Sequence, residues 1–214
     1  MTHMDPQSTY DRIADHFAAT REYAWPEVTT FLEDRTTDRA LDIGCGNGRH
    51  TELLAARARL AVGVDLSRGL LDAAVARARE RGFADATGFV HGDAARLPIA
   101  TDAVGLATYV ATLHHLSPRA ARVASLSELS RVLRPGGAGL VSVWSTAHDR
   151  FDRETGFDTT VDWTLPGGET VPRYYHIYDP DEFAADLAAS DLVTEDVTVS
   201  SGNCYAVVHP HPKE

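Results

Sequence analysis

A short run in the first quarter of the chain, Leu41-Asp-Ile-Gly-Cys-Gly-Asn-Gly-Arg49, restricts the possible folds more than any other feature. The segment Arg39 to Ile43 reads as a strand, and it passes through an acidic residue into a Gly-x-Gly-x-Gly turn that opens a helix through Leu53 and Leu54. Glycines allow tight backbone conformations and let a ligand approach the main chain closely. Taken alone such a turn is weak evidence, because phosphate binders and dinucleotide folds use similar ones. The rest of the chain supplies its context. Further strands are predicted at Leu60–Val64, Gly88–His91, Ala103–Val110 and Ala138–Trp144. Helices alternate with them, one capped by Ser67 and one started by Ser117-Pro118 that stops before Pro135-Gly136-Gly137. This rhythm predicts an α/β fold with a parallel sheet and helices on both faces.

Three acids stand at the ends of the first three strands, where ligands of such folds bind. Asp42 precedes the first glycine, where a carboxylate repels a pyrophosphate and suits a cationic ligand. Asp65 ends the second strand and is placed for ribose hydroxyls. Asp93 closes the third, where it can accept from an adenine amino group. Gly44 and Gly46 of the turn, with Leu66, Ala94 and Val110 at the same strand ends, complete the expected cofactor-binding set. Asp also favours turns for its own sake, which accounts for one such residue more easily than for three in order.

The ends of the chain break the rhythm. Two helices are predicted before the first strand, Asp11–Ala19 and Pro26–Arg35, the second with proline in its first turn. After Trp144 a polar, Gly-rich stretch, Ser145–Pro172, is long for a connection and is a candidate substrate-binding insertion. A helix at Pro180–Ala189 and two strands, Val193–Ser200 and Cys204–His209, follow, with Ser201-Gly-Asn203 as a hairpin turn. At 214 residues one domain is expected, divided as a helical cap (1–37), a cofactor-binding core (38–144), the insertion (145–178) and a closing helix with strands (179–214).

Composition excludes several classes. No apolar run approaches a membrane span, and the start lacks the basic-then-apolar pattern of a secretory signal, so a cytoplasmic location is expected. Cys45 and Cys204 make neither a disulfide framework nor a zinc site, and no metal is expected. The formal charge is −11, Asp outnumbers Glu about two to one, and Lys213 is the sole lysine. Such acidity suggests a salt-loving source, where screening to roughly 3 Å at 1 M salt prevents global charge from excluding an RNA substrate.

The ordered acids and glycine turn, with Leu133-Arg-Pro-Gly-Gly137 before the fifth strand, resemble the class I S-adenosylmethionine-dependent methyltransferases over Arg39 to Trp144. The resemblance implies a Rossmann-like, seven-stranded, mostly parallel sheet with an antiparallel C-terminal strand, and S-adenosylmethionine as cofactor. Outside the core, Tyr10-Asp-Arg-Ile-Ala-Asp-His-Phe17, Thr20-Arg21 and Trp25-Pro26 are similar to the start of the tRNA wobble-uridine carboxymethyl methyltransferases. Val161-Asp-Trp-Thr-Leu-Pro166 and Val171-Pro-Arg-Tyr-Tyr-His-Ile-Tyr178 match two further motifs of that family. Its members form a methyl ester on 5-carboxymethyluridine in the tRNA anticodon loop.

The residues suit that chemistry. A carboxylate nucleophile with a pKa of roughly 4 is ionised at neutral pH and needs no base. Arginine forks suit carboxylates, so Arg173 and Arg21 are the candidate clamps, with Tyr174 beside them. Trp25, Trp163 and Tyr175, with His176, are expected to receive an unpaired base. Equally, Arg-Tyr-Tyr-His can be a strand whose aromatics are core. His115 lines the site or takes a catalytic part. The face Arg77, Arg79, Arg81 reads as solvated surface rather than an RNA patch.

The absence of a lysine-rich patch and the short segment between the last two motifs favour a helper. The resemblance implies a small zinc-binding methyltransferase activator, joined as a heterodimer along the third strand, Gly88–His91, at a sheet edge. Two alternatives stand beside this reading: a small-molecule methyltransferase acting on a carboxylic acid or quinone precursor, and a non-catalytic methyltransferase-like subunit, which the intact strand-end acids disfavour.

Overall fold

The computed structural model describes residues 5–212; Lys213 lies outside them. Seven strands form one sheet: β1 (Thr37–Ile43), β2 (Ala58–Asp65), β3 (Thr87–His91), β4 (Val104–Val110), β5 (Leu133–Trp144), β8 (Leu192–Ser200) and β9 (Asn203–Pro210). Their order across the sheet is β3-β2-β1-β4-β5-β9-β8. The first five are parallel, and β9 runs antiparallel between β5 and β8. Every residue of the central β4 is buried, in keeping with a parallel strand covered on both faces. One apolar layer gathers Ile43, Tyr109, Leu126, Leu129 and Phe183. The opposite layer holds Val28, Phe31, Leu54, Leu106 and Leu140.

The helices are α1 (Pro6–Ala19), α2 (Pro26–Leu32), α3 (Arg49–Ala55), α4 (Arg68–Arg81), α5 (Arg119–Val132) and α6 (Pro180–Ala188). Ser67 caps α4, accepting from the Leu70 amide, and the helix stops at Gly82 with φ 76°. α1 begins five residues earlier than its apolar pattern predicts, because the Asp5 carboxylate accepts from the amides of Gln7 and Ser8. The turn between β8 and β9 places Ser201 (φ 50°) and Gly202 (φ 75°) in the left-handed region, the primed geometry suited to tight hairpins.

Two expectations are corrected. β5 starts at Leu133 rather than Ala138, taking in the Arg-Pro-Gly-Gly segment; the pairing with β4 slips between Val104 and Leu106 there, and an irregular register accommodates proline and glycine. The polar stretch after Trp144 is not one long connection. Its second half forms β6 (Phe157–Thr164), which pairs antiparallel with β7 (Thr170–Ile177) as a separate two-stranded sheet. Among the described residues no helix is long and apolar enough to cross a membrane, and both cysteines are buried and free.

Candidate active site

The parallel strands end on one side of the sheet, and a cavity of about 950 Å³ opens there. That volume is near the upper end of the roughly 300–1,000 Å³ of ligand sites, room for a cofactor and a second reactant. Its floor is the turn after β1. The amides of Gly44 and Cys45 both donate to the Val64 carbonyl (2.8 and 3.1 Å), which fastens the turn to the end of β2. Gly44 (φ 68°) leaves no room for a side chain, since a Cβ would overlap Thr112. Gly46 (φ 54°) has the opposite surroundings: no heavy atom lies within 4 Å of where its Cβ would stand, so bare backbone faces the open cavity.

The strand-end acids divide into two kinds. Asp65 and Asp93 line the cavity. Asp65 accepts from the amides of Gly46 and Ser67 (both 2.8 Å), which aims the carboxylate and leaves lone pairs for hydroxyl groups. Asp93 accepts from the Ala95 amide (2.8 Å). Asp42 instead lies beneath the turn, outside the lining, and this corrects the expected direct contact with a ligand. Its two oxygens accept from the hydroxyls of Thr51 (2.6 Å) and Thr108 (2.8 Å), and burial raises its pKa to about 6. Leu66, Ala94 and Val110 line the cavity as expected.

The opposite wall comes from β6 and β7. In an antiparallel pair, residues directly opposite share a face. Val161 faces Arg173 and Thr159 faces Tyr175, while Asp158 faces His176 and Thr160 faces Tyr174. Arg173, Tyr175 and Trp163 therefore line the cavity. Tyr174 and His176 point away, a second correction with period-two alternation as its cause. The Tyr174 hydroxyl donates to Asp158 (2.8 Å), and His176 bridges Asp158 (2.7 Å) and Glu182 (2.9 Å).

Arg173 is 7% exposed, its guanidinium lies over the rings of Trp163 (4.9 Å) and Tyr175 (5.2 Å), and its Nε has no hydrogen-bond partner. Arg21 lies over Phe17 (4.8 Å) and Trp163 (5.4 Å). Burial and the neighbouring charge of Arg173 lower the Arg21 pKa. Two guanidinium groups thus share an aromatic-walled space, and among the described residues neither makes an ion pair with a carboxylate, an arrangement suited to an anion.

His114 and His115 sit in a tight turn, Leu113–His115, and both rings face the cavity. His115 Nδ1 lies 2.9 Å from the Tyr174 carbonyl, so this nitrogen carries the hydrogen. Burial holds the ring's pKa down at about 4, so Nε2 is an acceptor and takes the Tyr10 hydroxyl hydrogen at 2.9 Å. With both nitrogens engaged, His115 orients Tyr10 and does not stand as a free base. Among the described residues no group of three His, Cys, Asp or Glu side chains is arranged to hold a metal ion.

Tyr10, not among the expected site residues, lines the cavity because α1 roofs it. The Asp11 carboxylate accepts from Ser67 Oγ (2.7 Å) and the Gly69 amide (3.1 Å), and Asn47 donates to the Ala18 and Arg21 carbonyls (3.1 and 2.9 Å). Trp163 donates to His16 (3.1 Å), and Arg12 pairs with Glu169. The seven-residue spacing of Tyr10 and Phe17, which puts both on one face of α1, was the available signal. Trp25, at the start of α2, also lines the cavity beneath Arg49 (5.5 Å). Arg79 and Arg81 are exposed, as expected of a solvated face, while Arg77 is half-buried; Arg77 and Arg81 pair with Glu22 and Glu52.

Residues 40–137 match a family described as a methyltransferase domain. A protein of Encephalitozoon cuniculi described as a methyltransferase is 35% identical over 177 residues, 79% of this chain and 78% of its own length. The tRNA (carboxymethyluridine(34)-5-O)-methyltransferase of Saccharomyces cerevisiae is 31% identical over 77% of the chain, which spans 58% of that protein. Among solved structures, the CcbJ methyltransferase from Streptomyces caelestis superposes with a TM-score of 0.77 at 18% identity, covering 97% of this chain and 99% of that one. A complex of the Haloferax volcanii Trm112 methyltransferase activator with a methyltransferase gives 0.72 at 14% identity, covering 98% and 100%. With strand order, glycine turn and cavity in agreement with these likenesses, the chain belongs to the S-adenosylmethionine-dependent methyltransferases of the Rossmann-like class I fold.

Proposed function

We propose that the chain methylates the carboxylate of 5-carboxymethyluridine at the tRNA wobble position, giving the methyl ester. The observation that carries this reading is Arg173, whose Nε has no partner, buried over Trp163 and Tyr175 with Arg21 beside it. The similarity to carboxymethyluridine methyltransferases, over part of their length, supports it.

Bare backbone at Gly46 and the carboxylates of Asp65 and Asp93 suit S-adenosylmethionine. Asp65 is assigned to the ribose hydroxyls and Asp93 to the adenine amino group, with Leu66, Ala94 and Val110 as apolar walls. Asp42, ionised at neutral pH beneath the turn, favours a cation above it through a short, poorly screened path. When bound, this cofactor supplies an electrophilic methyl group on a sulfonium. The acceptor carboxylate is already ionised, so the absence of a free base at His115 is no obstacle. The protein's work is then to hold the two reactants in line and exclude water. Arg173 and Arg21 grip the carboxylate oxygen that does not attack, since a clamp on the other would weaken the nucleophile. Trp163, Trp25 and Tyr175 hold the uracil ring.

The same reading extends to a partner. β3 is an edge of the sheet, and its Val90 is 36% exposed. Strand addition there by a small zinc-binding activator would make a heterodimer, as the Haloferax volcanii complex of the same fold suggests.

The deciding assay uses labelled S-adenosylmethionine, high salt, and tRNA bearing 5-carboxymethyluridine, with and without the Haloferax activator. Alkali-labile label at the wobble base is the expected result, and dependence on the activator establishes the partner. No transfer to RNA in either arm, with cofactor binding intact, would redirect the assignment to a small carboxylic acid.

A further inference from the structure

Residues 20–25 join α1 to α2 without regular structure, yet their backbone is held at successive points. Asn47 Nδ2 donates to the Arg21 carbonyl (2.9 Å), Arg77 to that of Glu22 (2.8 Å) and Arg49 to that of Tyr23 (3.3 Å). The Trp25 amide donates to His50 Nε2 (3.5 Å). Out of this fastened segment stands the ring of Tyr23, 82% exposed. The other exposed large apolar side chains among the described residues are three valines, none more than 47% exposed. A tyrosine that buries nothing adds little to stability, but its backbone is already ordered, so a ligand stacking on it meets a small entropy cost.

The surroundings indicate what such a ligand is. Tyr23 is not itself part of the cavity lining, but Arg21 and Trp25, two residues to either side, are, so its short segment runs along the cavity's rim. Arg49 reaches over Trp25 (5.5 Å), and the repulsion between Arg21 and Arg49 adds to burial in lowering the Arg49 pKa to about 10. The nearby acids are spoken for: Glu22 and Glu52 pair with Arg77 and Arg81. On a chain of net charge −11, Arg21 and Arg49 make no ion pair among the described residues, with Asp42 acting on Arg49 only from beneath the turn. An exposed aromatic face beside a cation fits the two parts of a nucleotide, the base by stacking and the phosphate by charge.

We propose that Tyr23 is the stacking platform for the unpaired base adjacent to the target nucleotide, with Arg49 beside it for the connecting phosphate. The assignment rests on the RNA reading above and adds a contact outside the reacting pocket, set by the RNA rather than by the modified base.

The test uses the full chain with the activator and anticodon stem-loop RNAs carrying 5-carboxymethyluridine. Tyr23→Ala is expected to raise the KM for RNA roughly five- to hundredfold, the range that one base–aromatic stack is worth. Tyr23→Phe keeps the ring and should restore the wild-type value. Cofactor affinity and thermal midpoint should stay unchanged in both, because the residue is 82% exposed. Stem-loops with an abasic site on the 5′ or the 3′ side of the target supply the second half of a double-mutant cycle. On one of them wild type and Tyr23→Ala should become equal. Wild-type methylation of the stem-loop with an unaltered KM for Tyr23→Ala would overturn the stacking role and leave the RNA reading standing. No binding or methylation of any stem-loop by the wild-type pair would overturn both.

Discussion

Arg173 and its neighbours in β7 show how one residue of shift along a strand separates function from support. The motif Arg-Tyr-Tyr-His reads as four candidates in a row, but alternation sends Arg173 and Tyr175 to the cavity and turns Tyr174 and His176 to Asp158 and Glu182. Spacing alone told that two of the four share a face; it did not tell which. A buried guanidinium with an idle Nε costs the free protein desolvation that its contacts with the rings of Trp163 and Tyr175 offset only in part. Arg173→Ala should therefore leave the thermal midpoint equal or higher while lowering kcat/KM for RNA roughly ten- to hundredfold, the worth of a charged hydrogen bond. Cofactor affinity measured by calorimetry should not change. Arg173→Lys should rescue poorly, since an ammonium lacks the planar fork. Tyr10 makes a neutral contact with His115, so Tyr10→Phe should lower kcat by only about three- to tenfold. An unaltered rate in that variant would remove the hydroxyl from the site.

At the scale of elements, α1 is a roof fastened on two sides, to the β2–α4 junction by Asp11 and to the β6–β7 hairpin by His16 and Arg12. Asp11→Ala removes the acceptor for Ser67 and Gly69 at the start of α4. An exposed capping contact of this kind is worth about 1 kcal/mol. Urea denaturation should show that loss, and hydrogen exchange in α1 should quicken more than in the sheet. The strands of the cofactor core were legible because each is an apolar run closed by glycine or aspartate. β6 was not, since Asp158, Thr160 and Asp162 alternate with its inward residues and give the segment a polar average. Its pairing comes from β7 lying opposite, which no local pattern states. α1 was legible as a helix but not as a roof, because the contacts that seat it are spread from Ser67 to Glu169.

For the whole molecule, the buried histidines set the response to acid. Burial holds His50 at about 3, His115 at about 4 and His114 well below the ordinary value. On unfolding these rings return to roughly 6.5 and take up protons. Their contribution is therefore full above about pH 6.5 and is lost as pH falls toward the folded values. Asp42, held up at about 6, acts with the opposite sign between roughly pH 4 and its folded value. Burial raises the Asp65 pKa as well, so three rings stand against two carboxyls and leave a net loss in acid, with a slope on the order of 1 kcal/mol per pH unit for an unopposed ring. The urea midpoint should fall between pH 7 and pH 5; a flat profile would contradict neutral histidines.

The position of β9 bears on how the chain is made. Strand order places it between β5 and β8, although it leaves the ribosome after both. Until it emerges, the hydrogen-bonding edge of β5 has no occupant and β8 has no neighbour in the sheet. The nascent chain therefore carries an unfilled slot beside its central strands from the completion of β5 to the emergence of β9, a template for mispairing with other chains. The short turn at Ser201-Gly202 limits that interval, because β9 emerges already folded back against β8 and the two can dock on β5 as one hairpin.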